Sequence, residues 1–190
     1  YKNDALLLEG VQEGNKGCHT IIEKNGVKIG FFGLTTTQTA TATNPFGIKN
    51  IEFRNETECA KREIDELEAE DADVIIAVCH IGNGDAPCTS TELANSMTGE
   101  YQGKIDVIID GHSHSVENIV QNDTLIVQTG CNMSSVGQLT LNVSGDDVTA
   151  SDKLLTPKDL TDIASDADVS EKIEQIKEEQ KNMLSQKLGT

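Results

Sequence analysis

The chain has 190 residues, of which 36% are hydrophobic and 3% aromatic, and its formal net charge is −17. This length fits one domain, or one domain with an extension, and no apolar run approaches the roughly 20 residues that a membrane-spanning helix needs. An acidic surface repels the phosphates of nucleic acids and of anionic lipids, so the composition argues against a nucleic-acid or membrane-surface binder.

The five cysteines are an odd number, so at least one thiol has no partner within the chain, which argues against a complete disulfide framework. The redox compartment therefore stays open. The sequence begins Tyr1-Lys2-Asn3-Asp4, without an initiator Met and without the basic-then-apolar pattern of a signal peptide. We expect the chain to have been part of a longer protein.

Short apolar segments alternate with helical patterns along the chain, which predicts an α/β fold. Residues 19–34 are predicted to form a β-hairpin, because Asn25-Gly26 tolerates the positive φ angles of a type I′ turn. The Thr-rich segment 35–43 and the following Asn-Pro-Phe-Gly at 44–47 are predicted to form a long loop. Such a loop after a buried strand often carries function.

The middle of the chain has a strand–helix–strand pattern. Residues 55–71 and 89–97 have the spacing of capped helices, and an apolar stripe in the first of them predicts a buried face. The continuous apolar runs at 74–79 and 106–110 predict strands buried on both faces. A crossover between them implies that they are parallel neighbours.

The last third contains two more β segments, 117–120 and 125–128, around a turn. Residues 138–143 alternate strictly between apolar and polar, so we expect one buried and one solvated face. Residues 168–188 predict a charged, narrowly amphipathic helix that stops at Gly189. This helix either packs on its own domain or links to another domain of a longer protein.

Three of the four histidines directly follow predicted buried strands: His80, His112 and His114. If these strands are parallel neighbours, the imidazoles gather at the carboxyl edge of one sheet, where open α/β sheets bind ligands. The spacing of His112 and His114 places both rings on one side of an extended segment, and Gly111 leaves room for a close approach. Imidazole is a common ligand of borderline divalent metals. The sequence therefore predicts a metal site here.

Other residues near this edge have simpler explanations. We expect His19 to be a hydrogen-bonded structural residue, and Cys79 to be a buried thiol rather than a soft metal ligand. Asn83, Asp85 and Asp110 are hard-ligand types but are equally at home in loops or at strand ends. No Ser/His/Asp triad, P-loop or dinucleotide fingerprint is recognisable.

Four segments, together spanning roughly residues 15 to 145, carry a family resemblance. A strand enters the Thr-rich segment at 26–36, a second ends in His-x-Gly at 74–82, and a third ends in Gly-His-x-His at 105–114. The fourth is 126–139. In this order they resemble the calcineurin-like metallophosphoesterases, specifically the bacterial 5′-nucleotidase and 2′,3′-cyclic-nucleotide phosphodiesterase branch. The Gly-His-x-His motif is the most specific.

The resemblance implies half of a four-layer α-β-β-α sandwich, with a mixed sheet and flanking helices. It also implies two divalent metal ions, Zn, Mn or similar, with His80 and His112 serving one ion and His114 the other. In the family, Asp-x-His, Gly-Asp and Gly-Asn-His motifs come earlier, and none of them stands before residue 26 here. We therefore expect the second half of a phosphoesterase domain, inactive alone, and name no catalytic residue.

The same resemblance implies that residues 1–165 are the C-terminal half of that domain. Residues 166–190 would then be a linker helix toward an absent C-terminal substrate-binding domain. The substrate would be a nucleotide or another phosphoester, and the location extracellular, at the cell surface or periplasmic. Loss of one sheet would expose the apolar face of the other, so we expect self-association, most simply a homodimer.

Two alternatives from other classes stay open. The first is a non-catalytic acidic module that uses the Thr-rich loop and the histidine edge to hold a ligand or a protein. The second is a complete single-metal hydrolase that needs only these residues. The sequence does not distinguish the metal, the preferred nucleotide, or monoester from cyclic diester hydrolysis.

Overall fold

The computed structural model describes residues 19–49, 51–145 and 147–185. The chain divides into two compact units, Tyr1–Thr156 and Pro157–Thr190. Cys18 and the end of the predicted C-terminal helix, with its stop at Gly189, lie outside the described residues. The predicted domain boundary after residue 165 stays a prediction.

The described elements follow the predicted strand–helix order. The strands are β1 (His19–Lys24), β2 (Val27–Thr35), β3 (Val74–His80), β4 (Val107–Ile109), β5 (Val116–Gln121), β6 (Thr124–Thr129), β7 (Val136–Ser144) and β8 (Asp147–Leu155). The helices are α1 (Thr39–Ala42), α2 (Pro45–Ile48), α3 (Glu56–Ala69), α4 (Ser90–Ser96) and α5 (Ala167–Leu184), with a 3₁₀ turn at Gly99–Tyr101.

Six strands form one mixed sheet in the order β1-β2-β3-β4-β6-β5. The four central strands are parallel, and β1 and β5 pair antiparallel at the two edges. Strands β7 and β8 form a separate antiparallel pair. The α/β class and the parallel arrangement of β3 and β4 are confirmed.

Local signals in the sequence explain where several elements begin. Asn25 and Gly26 have φ angles of 55° and 80°, which allows the tight turn between β1 and β2. The Asn55 side chain accepts a hydrogen bond from the Glu58 N–H at 3.0 Å and caps α3. Thr89 begins α4 through a complete capping box. The predicted hairpin and both capped helices are confirmed.

The six-stranded sheet buries both of its faces. Helices α3 and α4 cover one face with Ala60, Ile64, Leu67, Leu93 and Met97. The opposite face presents Val74, Ile76, Val107, Leu125 and Val127 to apolar residues of β7 and β8. A helix layer, the large sheet and a second sheet therefore lie on top of one another, and the predicted mixed sheet with flanking helices is confirmed.

Two details of the predicted elements are wrong, and one strand was missed. Segment 35–47 is not one loop, because it contains the single-turn helices α1 and α2. The Asn44 side chain accepts from the Phe46 N–H at 3.0 Å, and Pro45 fits the first helical position. Strand β8 was not predicted. Burial of residues 74–79 on both faces fails at Val78, which is 47% exposed.

The second unit contains α5, which confirms a helix where an amphipathic one was predicted. The Asp166 side chain accepts from the Val169 N–H at 3.0 Å and caps its first turn. None of the helices described between residues 39 and 184 has the length and apolarity needed to cross a membrane.

Asp106 provides a test of the sheet's electrostatics. Its carboxylate accepts from the Ile75 N–H at 2.8 Å, and burial raises the pKa of Asp106 more than the backbone hydrogen bonds lower it. The folded chain therefore favours the protonated form of Asp106. The stabilisation that this protonated carboxyl provides is complete below the pKa that Asp106 has in the unfolded chain, and it is lost as pH rises through the higher pKa that it has in the folded chain. At pH 7 we expect the Asp106→Asn variant to have a larger free energy of unfolding than the native chain.

Urea unfolding of both chains from pH 3 to pH 8 checks this expectation. The difference between them should shrink as pH falls and Asp106 becomes protonated. A difference that is constant over this range would contradict the expectation.

Candidate metal centre

Two of the three predicted histidines meet at the carboxyl ends of β3 and β4. His80 is the last residue of β3, and His112 follows β4 after a short turn. The His80 Nε2 and His112 Nδ1 atoms are 3.3 Å apart, and the two rings meet edge to face with centroids 5.1 Å apart. Parallel neighbours thus bring these imidazoles together, as their positions after adjacent strands predicted.

Gln38 fixes the orientation of the His112 ring. Its Oε1 atom lies 3.1 Å from His112 Nε2, and because an amide oxygen accepts, the two atoms form a hydrogen bond when His112 carries a proton on Nε2. The Nδ1 lone pair then faces His80. Two nitrogens bound to one tetrahedral ion at about 2.0–2.1 Å lie about 3.3–3.4 Å apart. The observed separation of 3.3 Å therefore fits two ligands of a single ion.

His114 does not join this pair. It is exposed and precedes β5 by two residues, and within the described ranges its side chain makes no hydrogen bond to His80 or His112. The prediction that the two later histidines lie on an extended segment is wrong, because the φ angles of His112 and His114 are 79° and 58°. The Ser113 N–H donates to Gly111 O at 3.1 Å and tightens this turn.

The left-handed backbone at these histidines has an energetic cost. For a residue with a β-carbon this conformation costs roughly 1–2 kcal/mol. Strain of this kind persists where the surrounding structure imposes it, and it is frequent at functional sites. Two histidines in this conformation, separated by a single residue, thus mark the turn after β4 as a specialised segment.

Asp110 ties the two strand ends together. Its Oδ1 atom accepts from the backbone N–H groups of Ile81, Gly82 and Gly111 at 3.0, 3.1 and 2.8 Å. Its Oδ2 atom is buried without a hydrogen-bond partner in the described structure. Asp110 therefore holds the residues next to His80 and His112 in place.

Gln128, which the sequence analysis missed, supports the turn from the neighbouring strand β6. This side chain is 3% exposed, and its Oε1 accepts from the Ser115 N–H at 3.1 Å while its Nε2 lies 3.0 Å from Ser113 Oγ. Asn83, a predicted hard-ligand type, instead accepts from the Thr91 N–H and donates to Glu117. The contacts of Gln128 and the contact between Asn83 and Glu117 could not be recognised from local sequence, because they join segments at least 13 residues apart.

The space beside Gly111 is taken by the His80 ring, whereas the sequence analysis predicted an approach of this backbone to a bound ligand. A β-carbon at this position would lie 3.1 Å from His80 Nδ1, closer than most such contacts, so a larger residue would press on the imidazole. Cys79 is 7% exposed, and burial raises the pKa of its thiol. It is a buried neutral thiol, as predicted.

His19 lies elsewhere, in a buried contact between β1 and α3. Its Nδ1 atom is 2.9 Å from Glu63 Oε2 and 3.6 Å from Glu66 Oε2, and its Nε2 atom is 3.6 Å from Glu70 Oε1. Burial lowers the pKa of His19, but Glu63 and Glu70 raise it, and the net pKa is above its ordinary value. The expected hydrogen-bonded role is confirmed.

A protein-family comparison identifies the chain. Residues 10–135 match the family described as bacterial capsule synthesis protein PGA_cap. The chain belongs to this family. The predicted resemblance to calcineurin-like phosphoesterases of the 5′-nucleotidase branch is confirmed as a similarity, by relatives and solved structures that carry these names.

The curated relatives of this family member include proteins named as an endonuclease, as 5′-nucleotidases and as a cell wall protein. The chain is 36% identical over 115 residues to endonuclease YhcR of Bacillus subtilis (strain 168), covering 58% of this chain and 9% of that protein. It is 41% identical over 100 residues to a 5′-nucleotidase of Vibrio cholerae, covering 49% and 18%. Lmo0130 of Listeria monocytogenes, which is named a cell wall protein, is 26% identical over 199 residues, covering 92% of this chain and 25% of that protein. The chain thus spans less than a fifth of the first two relatives.

Solved structures share the fold. The calcineurin-like phosphoesterase YfkN from Bacillus subtilis superposes with a TM-score of 0.63 at 22% identity, covering 85% of this chain and 57% of that one. A 5′-nucleotidase precursor from Thermus thermophilus superposes with a TM-score of 0.58 at 21% identity, covering 74% and 30%. These similarities support the fold assignment alone.

Proposed function

We propose that the chain is part of a divalent-metal-dependent phosphohydrolase that acts on nucleotides, by phosphomonoester or cyclic phosphodiester hydrolysis. The names of the relatives, which include 5′-nucleotidases, support the nucleotide class. The observation that carries the metal assignment is the His80–His112 pair, with its 3.3 Å nitrogen separation.

In this proposal each residue has a defined task. His80 Nε2 and His112 Nδ1 hold one of two ions, Zn²⁺, Mn²⁺ or similar, and His114 contributes to the other. Gln38 keeps the His112 proton on the far nitrogen, as residues that support metal-bound histidines usually do. When bound, the ions supply positive charge that stabilises a phosphoryl group under attack by water.

We propose that these 190 residues have no hydrolase activity alone. Two imidazoles toward one ion and one toward another make an incomplete ligand set, because hydrolytic metal sites need further ligands to fix the geometry. The described structure places no carboxylate oxygen in hydrogen-bonding contact with the rings of His80 or His112. The chain would thus contribute half of a site.

Metal titration tests this proposal. Calorimetry with Mn²⁺ and Zn²⁺ should show a binding event that requires His80, so that His80→Ala weakens it at least tenfold while zinc binding at other residues persists, and no phosphate should be released from AMP or 2′,3′-cyclic AMP. Equal binding by both chains would contradict the assignment of His80. Metal-dependent phosphate release by the native chain would contradict the proposed inactivity and favour a complete single-metal hydrolase.

The alternative hypothesis, a non-catalytic binding module, predicts a different effect of mutations at the same site. It requires a ligand whose binding depends on the Thr-rich segment 35–43 and is unaffected by His112→Ala. The hydrogen bond between Gln38 and His112 argues for one joint site, because it links that segment to the histidines. Metal binding that falls in both Gln38→Ala and His112→Ala would support the phosphohydrolase.

The proposed location is extracellular, at the cell surface or periplasmic. The cell wall protein among the relatives, which aligns with 92% of this chain, supports this proposal. Residues 166–190 are proposed to link the phosphoesterase part to a substrate-binding domain.

Self-association to a homodimer is also proposed. The apolar sheet face that was predicted to drive it is not exposed, because β7 and β8 cover it. The edge strand β5 instead exposes Val116 and Val120 by 61% and 71%, and an apolar edge strand favours pairing with another chain. Light scattering should give a dimer mass at tens of micromolar for the native chain and a monomer mass for Val120→Lys. The control Val169→Lys, at an exposed valine of α5, should stay dimeric. A native monomer at all concentrations would contradict this proposal.

A further inference from the structure

We infer that His19, Glu63 and Glu66 form a second divalent-metal site, suited to Zn²⁺, between strand β1 and helix α3. The His19 Nδ1 atom and one carboxylate oxygen of each glutamate all lie within 4.8 Å of one another. This site shares no residue with the candidate metal centre at His80 and His112.

The contacts around His19 Nδ1 are those of a ligand set. Glu63 Oε2 and Glu66 Oε2 both face this nitrogen, at 2.9 and 3.6 Å. One N–H can satisfy only one carboxylate well, so with a proton on Nδ1 the 46% exposed Glu66 is solvated by water rather than paired with His19. A cation between the three atoms serves both. Ligand atoms around a tetrahedral zinc ion lie about 3.3 Å apart, and the two observed distances bracket this value.

The other side of the imidazole is also suited to a metal ligand. Glu70 Oε1 lies 3.6 Å from His19 Nε2. A histidine that binds a metal through one nitrogen usually donates the other N–H to a carboxylate, which fixes the tautomer. Glu70 is placed to accept a hydrogen bond from the Nε2–H group once Nδ1 has bound the ion.

The local charge also favours a dication. Three carboxylates surround the His19 ring, and the Arg62 guanidinium, 2.7 Å from Glu63 Oε1, offsets one of them. The Lys28 ammonium is held by the Glu70 backbone carbonyl and by Asp71, beyond the ring. Bringing a doubly charged cation to the ring would balance the remaining carboxylates.

Burial makes one half of the site rigid and leaves the other open. The side chains of His19 and Glu63 are 3% and 2% exposed, whereas Glu66 is 46% exposed. An ion can therefore reach two fixed ligands from the solvent side and be closed in by Glu66. One imidazole nitrogen with two carboxylate oxygens suits Zn²⁺, whereas Ca²⁺ takes six to eight oxygen ligands.

The test uses the His80→Ala/His112→Ala chain, which lacks the histidine pair of the candidate metal centre. Calorimetry and thermal unfolding with Zn²⁺ should show one bound ion and a raised melting temperature. Adding Glu66→Gln should lower the zinc affinity at least tenfold and reduce the thermal shift. The matched control Glu58→Gln, an exposed glutamate of the same helix, should leave both unchanged.

Glu66 is half exposed, so its amide variant should fold, which circular dichroism verifies. Absence of zinc binding in the His80→Ala/His112→Ala chain would overturn the inference, as would equal affinity in the Glu66→Gln and Glu58→Gln chains. Neither result affects the proposed function, because the background chain already lacks its two central histidines.

Discussion

His112→Asn is expected to weaken Mn²⁺ binding by about 100-fold or more while leaving the folded chain as stable as the native one, or up to about 1 kcal/mol more stable. The loss of affinity follows from removal of an imidazole. Loss of a residue that merely supports a ligand costs about 10–100-fold, so loss of the ligand itself should cost at least as much. The stability gain follows from the backbone, because His112 has a φ angle of 79° and the short polar side chain of Asn can hydrogen-bond locally in the left-handed conformation.

Met133→Asn is the matched control for the backbone effect. Met133 has a φ angle of 55° and is 98% exposed, so this change relieves similar strain without loss of packing. Urea unfolding should show a comparable gain, and calorimetry should show unchanged Mn²⁺ affinity. If His112→Asn were destabilising by more than about 1 kcal/mol and kept native metal affinity, His112 would be a structural residue.

Asp110→Ala is expected to lower the free energy of unfolding by about 3 kcal/mol, because three backbone N–H groups lose their shared acceptor. Metal affinity should fall at least tenfold as well. Ile81 and Gly111 adjoin His80 and His112 in sequence, so release of their N–H groups allows the imidazoles to move apart.

Asp110→Asn separates the effect of the hydrogen-bond acceptor of Asp110 from the effect of its charge, and Asp85→Ala is the control for loss of a carboxylate. Asp110→Asn keeps an oxygen acceptor and should cost about 1 kcal/mol or less. Asp85→Ala removes an exposed carboxylate from the loop after β3 and should change stability by no more than about 0.5 kcal/mol. Urea unfolding and Mn²⁺ calorimetry on all three variants check these values. Equal losses in the Ala and Asn variants of Asp110 would show that charge, not the oxygen acceptor, matters.

Much of the fold could be predicted because local sequence determines it. The Asn25-Gly26 turn and the capping residues Asn55 and Thr89 act within four residues of themselves. Strand β8 was not predicted, because only two small apolar residues, Val148 and Ala150, mark its inward face. Such a weak alternation of apolar and polar residues is also typical of a loop. The turns α1 and α2 escaped because a Thr-rich segment with Pro and Gly has low helix propensity.

The candidate site was only partly predictable, since adjacent strands set where His80 and His112 lie but not how their rings are held. Gln38 reaches His112 from a segment 74 residues earlier, which no local pattern reveals. The left-handed turn at His112 is imposed by tertiary contacts that include Asp110. The glutamates around His19 did have a signal, because positions 63, 66 and 70 share one face of a helix.

Two backbone hydrogen bonds secure the start of the segment that carries Gln38. The Thr36 N–H donates to His80 O at 3.0 Å, and the Thr37 N–H donates to Glu56 Oε1 at 2.8 Å, in the first turn of α3. Residues 39–49 and 51–54 form an insert between these bonds and the start of α3, and its regular structure within the described residues is the single-turn helices α1 and α2. Related chains could lengthen, shorten or rewrite this insert to suit a different molecule beside the histidines, while Gln38 stays against His112 and the sheet beneath is undisturbed.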